Sequence, residues 1–326
     1  MAGLAGWACA ATRPRYGGTL RVEVRLSGDF PDPPQLGFGM ADLNGSFAIA
    51  QWDAGRQAVY EASETAPGGR PYLDRVEVQL ARPLREQSAD LELGKTDMVE
   101  LGLNELRRPA AGRRVWSSAP VRVVALVFGP RVEDARIREA LSLAVDRGAI
   151  HRVLLQQQGE ISGALLPQWL SGYAFLFPST ADIARARALL SGMPAAARSL
   201  TLAADDPALR PVAERIALNA RDAGLAVAMG NGATDARLAE IRIVSADPAR
   251  ALDAVAAALG MNPPPHAASP EALYAAEKAM LDGFRVVPLF QLPEVYGVSP
   301  KVKGGSGVSP LGEWRFDNLW LEGGRP

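Results

Sequence analysis

The side chains that most often carry out chemistry in proteins are scarce in this chain. It contains one cysteine, Cys9, and two histidines, His151 and His266, among 326 residues. Metal sites and acid–base sites usually draw on histidine or cysteine, so this scarcity argues against both. The acidic pair Asp205-Asp206 lies at a strand-to-helix turn, where helix capping is the expected role. We therefore expect a protein with no enzymatic activity, no metal site and no cofactor.

The overall composition is that of a globular protein with balanced charge. About 48% of the residues are apolar and 22% are charged, with 35 basic and 36 acidic side chains. A chain of this length is long enough for two lobes, each with its own core. Because there is no excess of positive charge, we expect no nucleic acid as a partner.

Strand and helix patterns alternate along the chain and predict an α/β protein. Residues 19–26 alternate apolar and charged side chains, which is typical of a half-buried strand. Residues 121–128 are almost continuously apolar and predict a strand buried on both faces. Residues 134–157 carry apolar side chains at helical spacing. Residues 200–229 predict a strand, a helix and a strand, and hence a parallel pair with a right-handed crossover.

The N-terminus has features of an export signal. Residues 1–11 are apolar or small, and Ala8-Cys9-Ala10 fits the small residues that precede a signal-peptidase cleavage site. A basic start is missing, so we interpret residues 1–12 as the remnant of a signal peptide, with a disordered start as the alternative. Lipid attachment at Cys9 is disfavoured by the residues that precede it. The interpretation places the protein in the periplasm or another extracytoplasmic compartment.

Several segments, taken in order, resemble one family. The similar segments are residues 16–22 (YGGTLRV), 68–77 (GGRPYLDRVE), 93–99 (LGKTDMV), 134–150 (DARIREALSLAVDRGAI), 287–290 (VPLF) and 316–320 (FDNLW). Together they resemble the bacterial extracellular solute-binding proteins of family 5, the peptide/nickel-binding components of ABC transporters. Each segment alone is a weak signal, and their shared order makes the resemblance specific.

The chain departs from the family in length. Members usually carry an extra small subdomain between the first strand and the segment that contains Trp52. Here about 20 residues bridge that gap. The resemblance therefore implies a shortened form that lacks the small extra N-terminal subdomain, and with it one wall of the usual ligand pocket.

The resemblance implies a two-lobed fold like that of the periplasmic binding proteins, of the class II type. Mixed sheets flanked by helices would form the lobes, and the chain would cross between them twice at a hinge. Lobe I would comprise residues 13–126 and 293–326, and lobe II residues 127–292. Ligand would bind between the lobes, which close around it by a hinge motion.

Six residues are candidates for contact with a ligand. The resemblance places an acid before a proline at Asp247, where it would pair with a ligand amine; a helix N-cap before Pro248 is the alternative. Trp169 and Tyr173 would line the cleft or pack as core under their loop. The remaining candidates follow the first strand or lie near the second hinge crossing: Ser27, Asp29 and Tyr296.

Three functions remain open at this point. The resemblance implies a monomeric binding protein that delivers a peptide or similar small solute to ABC permease subunits in the membrane. The missing subdomain favours a degenerate binding fold that acts as an interaction or sensory module without transport. A hydrolase has the least support, because the sequence shows no nucleophile–base set.

Overall fold

Strands and helices alternate along most of the chain. The structure is a computed structural model that describes residues 13–25, 45–102, 113–263, 265 and 269–323. Its strands are β1 (Thr19–Glu23), β2 (Phe47–Asp53), β3 (Gln57–Ala62), β4 (Arg75–Gln79), β5 (Met98–Glu100), β6 (Arg114–Phe128), β7 (Glu160–Ile161), β8 (Ser199–Ala204), β9 (Ala226–Met229), β10 (Ala236–Arg242), β11 (Val286–Val298), β12 (Val302–Lys303) and β13 (Trp320–Leu321). Its helices are α1 (Leu84–Glu92), α2 (Ala135–Ala144), α3 (Arg147–Val153), α4 (Gln168–Ser171), α5 (Ile183–Leu189), α6 (Arg210–Ala223), α7 (Pro248–Ala258) and α8 (Pro270–Leu281).

One large mixed sheet organises the molecule. Its strand order is β2-β3-β4-β1-β5-β11-β6-β10-β8-β9, and β7 pairs with β11 beside this path. We call strands β1 to β5 the β1 side of the sheet and strands β8 to β10 the β8 side. The α/β fold predicted from the sequence is confirmed.

Two long strands, β6 and β11, join the two sides. They pair antiparallel along almost their whole length. The C-terminal end of β11 also pairs with β5, whereas residues 122–128 of β6 pair with β10. Three register shifts interrupt the pairing between Pro288 and Val295. The chain therefore passes twice between the sides through an irregular stretch of sheet, as expected of a hinge.

On the β1 side of the sheet, buried apolar residues alternate with more exposed polar residues along strands β1 and β4. Leu20 and Val22 of β1 are fully buried, while Arg21 between them faces solvent. Their partner strand β4 repeats this pattern in parallel register. A core of apolar side chains covers the buried face. It includes Trp314 and Phe316 from residues 299–323, which we call the C-terminal segment. The C-terminal segment thus completes the core of the N-terminal part of the chain.

The β8 side has helices on both faces. One face packs against α2, α5 and α6, and the other against α7, α8 and the loop of residues 162–177. Strands β8 and β9 are parallel and joined by α6, which confirms the predicted crossover. The single helix predicted over residues 134–157 is wrong. Val145 leaves the helical conformation with ψ 112°, and Asp146 caps a new helix by accepting a hydrogen bond from the Ala149 N–H.

Candidate functional site

An ion pair connects the two sides of the sheet. Arg25, just after β1, places its Nη1 atom 2.8 Å from Oδ2 of Asp206, just after β8. Its Nε lies 3.3 Å from Oε2 of Glu100, which also accepts the Arg25 backbone N–H at 2.7 Å. Burial lowers the pKa of Arg25, but the carboxylates of Glu100 and Asp206 outweigh it and raise the pKa overall. Arg25 therefore stays charged and bridges the two sides.

A second ion pair lies beside the first. Nη1 of Arg122, on β6, is 3.3 Å from both carboxylate oxygens of Glu240 on β10. Nε and Nη2 of Arg122 also donate to the Pro293 carbonyl at 3.2 and 2.9 Å. Both strands that pass between the sides of the sheet are thus tied to one guanidinium group.

The space around these side chains is narrow. We call it the central cleft, and define it by Arg25, Glu100, Arg122, Asp206 and Glu240. It contains two adjoining cavities of about 40 and 80 Å³. A water molecule occupies about 30 Å³ in the liquid, so these cavities have room for a few waters. In this conformation the described lining residues fill most of the cleft themselves.

A buried charged cluster closes one end of the cleft. Arg242 of β10 forms an ion pair with Glu294 of β11, and its Nη2 donates to the Leu311 carbonyl at 2.9 Å. The Tyr296 hydroxyl donates to Oε2 of Glu294 at 3.0 Å. Burial lowers the pKa of Arg242 and raises that of Tyr296. Because each charge has an opposite partner, the cluster links β10, β11 and the C-terminal segment.

The predicted aromatic candidates have different surroundings. Tyr173 is buried, and its ring contacts Phe177 and Tyr274. Trp169 is 39% exposed, and its indole N–H donates to the Pro120 carbonyl of β6 at 2.8 Å. Tyr296 lines the larger cavity of the central cleft, and its ring meets Trp314 edge-on at 6.2 Å. Of these three candidates, only Tyr296 borders the cleft cavities.

Asp247 caps a helix. Its carboxylate accepts the Arg250 N–H at 3.0 Å at the start of α7, and the side chain is exposed. It is not one of the described residues that line the two cleft cavities. The capping alternative is thus realised, and a ligand-binding role for Asp247 remains a prediction. Ser27 and Asp29 lie outside the described residues.

A buried carboxylate supports the loop of residues 162–177. Glu277 of α8 is fully buried and accepts hydrogen bonds from the backbone N–H groups of Leu165 and Leu166. Its Oε2 accepts the Tyr173 hydroxyl at 2.9 Å. Burial raises the pKa of Glu277 to about 7, although all three donors oppose the shift. Tyr173 therefore helps to hold this loop against α8.

The described ranges contain neither a metal-binding cluster nor a membrane-spanning helix. There, histidine, cysteine and acidic side chains form no group of three or more suited to a metal ion. No helix in the same ranges is long and apolar enough to cross a membrane.

Comparison with known proteins identifies the family. The family model described as "Bacterial extracellular solute-binding proteins, family 5 Middle" matches residues 31–280. The chain belongs to this family. No curated protein matches the sequence. Membership agrees with the order of the similar segments and with a sheet whose two sides share β6 and β11.

Solved structures show the same fold at low sequence identity. NikA from Staphylococcus aureus, in complex with Ni(L-His)2, has a TM-score of 0.71 and 15% sequence identity, and the match covers 85% of this chain and 68% of that one. The ABC transporter substrate-binding protein CtaP from Listeria monocytogenes has a TM-score of 0.69 and 15% sequence identity, and the match covers 85% of this chain and 66% of that one. DppA from Helicobacter pylori, in complex with the peptide STSA, has a TM-score of 0.69 and 19% sequence identity, and the match covers 85% of this chain and 62% of that one. This chain thus spans about two thirds of the length of each of these structures.

Sequence reasoning missed most residues of the central cleft. Arg122 interrupts an apolar strand, and Glu294 does the same in β11. A charge inside such a strand is a usable signal, because it needs a partner when buried. Arg25, Glu100 and Asp206 carry no comparable local signal, since their contacts join residues 75 to 181 positions apart.

Proposed function

We propose that this protein is an extracytoplasmic solute-binding protein of an ABC transporter. It binds a peptide or similar small solute between two lobes and delivers it to permease subunits in the membrane. Family membership supports this role, as do relatives of the same fold that are described with the peptide STSA and with the dipeptide Met-Leu. We propose no reaction for the chain, since members of the family typically bind and do not transform their ligands.

The observation that carries the proposal is the meeting of charges at the central cleft. Five charged side chains converge there from both sides of the sheet and from β6 between them. They comprise three carboxylates and two guanidinium groups, so these five side chains have an excess of one negative charge; Glu294, which also lines the cleft, is paired with Arg242. A peptide presents an ammonium group and a carboxylate, which match these two kinds of partner. The excess favours a ligand with at least one cationic group.

Binding requires movement, because the cleft cavities are too small for a dipeptide. The ligand ammonium would take the place of the Arg25 guanidinium beside Asp206, and the lobes would separate around β6 and β11. Residues 13–126 with 293–326 form lobe I in this proposal, and residues 127–292 form lobe II. The indole N–H of Trp169, in lobe II, donates a hydrogen bond to the carbonyl of Pro120, in lobe I. Separation of the lobes would therefore change the surroundings of Trp169.

The export and assembly of the protein belong to the same proposal. Residues 1–12 act as the remaining part of a signal peptide, and the protein works as a monomer in the periplasm or an equivalent compartment. Family membership supports this location, since the family comprises extracellular solute-binding proteins.

Calorimetric titration with defined di- to pentapeptides tests the proposal. Glu240→Gln removes one cleft carboxylate, and we expect it to weaken peptide binding about tenfold or more. Glu139→Gln is the matched control, because Glu139 is similarly shielded and also pairs with one arginine, Arg185, outside the cleft. Binding with equal affinity by both variants would overturn the proposed site. Absence of binding by the wild type would overturn the proposed function.

A second candidate function has one observation in its favour. Arg25 already satisfies the carboxylates of Glu100 and Asp206, as a permanently closed interaction or sensory module would require. In that case no peptide binds. Small-angle X-ray scattering then gives the same radius of gyration for the protein alone and for the protein with each of the di- to pentapeptides. A change in radius on addition of any of them excludes this candidate.

A further inference from the structure

A mostly apolar cavity lies away from the central cleft. It has a volume of about 250 Å³ and lies between the loop of residues 162–178, α8 and the start of β11. Its apolar walls are formed by Leu176, Phe177, Tyr274, Leu281, Phe284 and Val286. An apolar cavity of about 150 Å³ is enough to bind benzene, so this one has room for a ring with a short substituent.

A buried guanidinium group borders this cavity. Arg147, the first residue of α3, is 4% exposed. Its Nη atoms donate to the carbonyls of Ser142, Ser179 and Pro288 over long distances of 3.2 to 3.3 Å. Its Nε is buried and has no acceptor. No carboxylate among the described residues lies within ion-pair distance of Arg147. The cavity thus has one cationic wall without a counter-charge.

A neighbouring arginine shows how the chain satisfies such a group when no ligand is needed. Arg138 of α2 is also buried, and its Nε donates to the Gly283 carbonyl at 2.8 Å. Its Nη1 donates to the carbonyls of Val132 and Glu133 at 2.7 and 2.8 Å. Arg147 has longer bonds and an unused donor, although burial lowers its pKa only to about 10 and leaves it charged at neutral pH. An uncompensated buried charge is costly, and an anion in the cavity would remove that cost.

We propose that this cavity is a second binding site, for a small apolar monocarboxylate. The ligand carboxylate pairs with Arg147, whose planar group suits a two-oxygen acceptor, and its hydrocarbon part contacts Phe177 and Phe284. The mouth adds little net charge, because Lys278 pairs there with Asp282 at 3.2 Å. The site takes one apolar group and one negative charge, which separates it from the central cleft with its excess of acidic groups.

Calorimetric titration of the full chain with phenylacetate tests the ligand class. The comparison ligands are 2-phenylethanol and phenethylamine, which keep the ring but carry no charge or a positive charge. We expect phenylacetate to bind at least about tenfold more tightly than either, because only it can pair with Arg147. Equal binding of 2-phenylethanol, or no binding of phenylacetate at about 10 mM, would overturn the proposal.

A pair of exposed leucines locates the site. Leu176 lines the cavity and is 50% exposed, whereas Leu218 on α6 is 48% exposed and lies outside it. Leu176→Glu adds a competing carboxylate at the cavity, and we expect it to weaken phenylacetate binding at least about tenfold. Leu218→Glu should change the affinity by less than about twofold. Unchanged binding by Leu176→Glu would contradict the proposed location.

Two more variants complete the test. Arg147→Gln removes the cation, and we expect phenylacetate and 2-phenylethanol to bind this variant with similar affinity. If Arg147→Gln does not fold, the two leucine variants still decide the matter, since both substitutions are at exposed positions. Glu240→Gln in the central cleft should leave phenylacetate binding unchanged; an equal loss in that variant would assign the ligand to the cleft and overturn the second site.

Discussion

Arg25 and Asp206 form an ion pair across the central cleft, with 2.8 Å between Nη1 and Oδ2. The two residues are 181 positions apart. Arg25 lies on the β1 side of the sheet and Asp206 on the β8 side, and strands β6 and β11 join these two sides. Their contact is therefore part of what holds the cleft closed when no ligand is bound. Both side chains remain partly exposed, so we expect the pair to be weak enough for a ligand to break.

Asp206→Asn should loosen this closure without damaging the short 3-10 helix Pro207–Leu209, which Asp206 caps. Asparagine caps a helix about as well as aspartate, so the hydrogen bond to the Ala208 N–H is retained. We expect a larger radius of gyration by small-angle X-ray scattering and a loss of about 0.5–1 kcal/mol in the free energy of unfolding.

Asp205→Asn is the control for that experiment. Asp205 pairs with Arg237, which lies on the same side of the sheet, so its removal breaks no contact across the cleft. Its radius of gyration should match that of the wild type. If the two variants give the same radius, Arg25 and Asp206 do not hold the sides together.

The buried Glu277 should make stability depend on pH. Its pKa is raised from 4.5 to about 7, so the folded protein binds this proton more tightly than the unfolded chain. Its contribution is therefore fully present below about pH 4.5 and is lost as the pH rises through about 7. We expect a decrease in the free energy of unfolding of up to about 3 kcal/mol over this range, measured by urea unfolding.

Glu277→Gln should remove this pH dependence. The amide oxygen can still accept the N–H groups of Leu165 and Leu166, and the amide has no proton to lose. Glu271→Gln, at the exposed start of the same helix, should keep the wild-type slope. An equally steep slope in Glu277→Gln would show that the pH dependence arises elsewhere.

Gly312 lies against the buried Arg242–Glu294 ion pair, and we expect it not to tolerate a side chain. Its φ is +79°, and a Cβ there would lie 2.7 Å from Nη2 of Arg242 and 2.8 Å from Oε2 of Glu294. Gly312→Ala should lower the free energy of unfolding by about 2–4 kcal/mol, because it adds crowding of a buried ion pair to the cost of a left-handed alanine.

Gly172→Ala separates these two costs. Gly172 has a nearly equal φ of +75°, and its Cβ would meet nothing within 4 Å. We expect Gly172→Ala to lower the free energy of unfolding by about 1–2 kcal/mol, from the backbone conformation alone. Equal losses in thermal or urea unfolding of the two variants would show that the Arg242–Glu294 pair tolerates the added methyl group.

The elements of the fold were more accessible to sequence reasoning than the cleft was. The β8-α6-β9 unit follows from local periodicity and from Gly224, whose φ of +92° ends α6. The capping role of Asp247 is predictable because capping depends on only a few neighbouring residues. The break before Asp146 does not follow from the sequence pattern, since apolar side chains continue at helical spacing through Val145.

The central cleft could not be predicted in the same way. Arg25, Glu100, Asp206 and Glu240 meet only after strands from both sides of the sheet have paired with β6, β11 or each other. No pattern within a short window specifies such partners. The family resemblance implied a cleft between lobes, but it did not identify the charges that line this one.

The most direct test of the account is a hydrogen-exchange footprint of the protein saturated with its best-binding peptide. We predict increased protection of the backbone amides of residues 100–102, on the β1 side of the sheet, and of residues 208–209, on the β8 side, which border the central cleft. The cavity beside Arg147 should show no change. Protection confined to other surfaces, or a footprint on one side of the sheet only, would contradict binding between the two lobes.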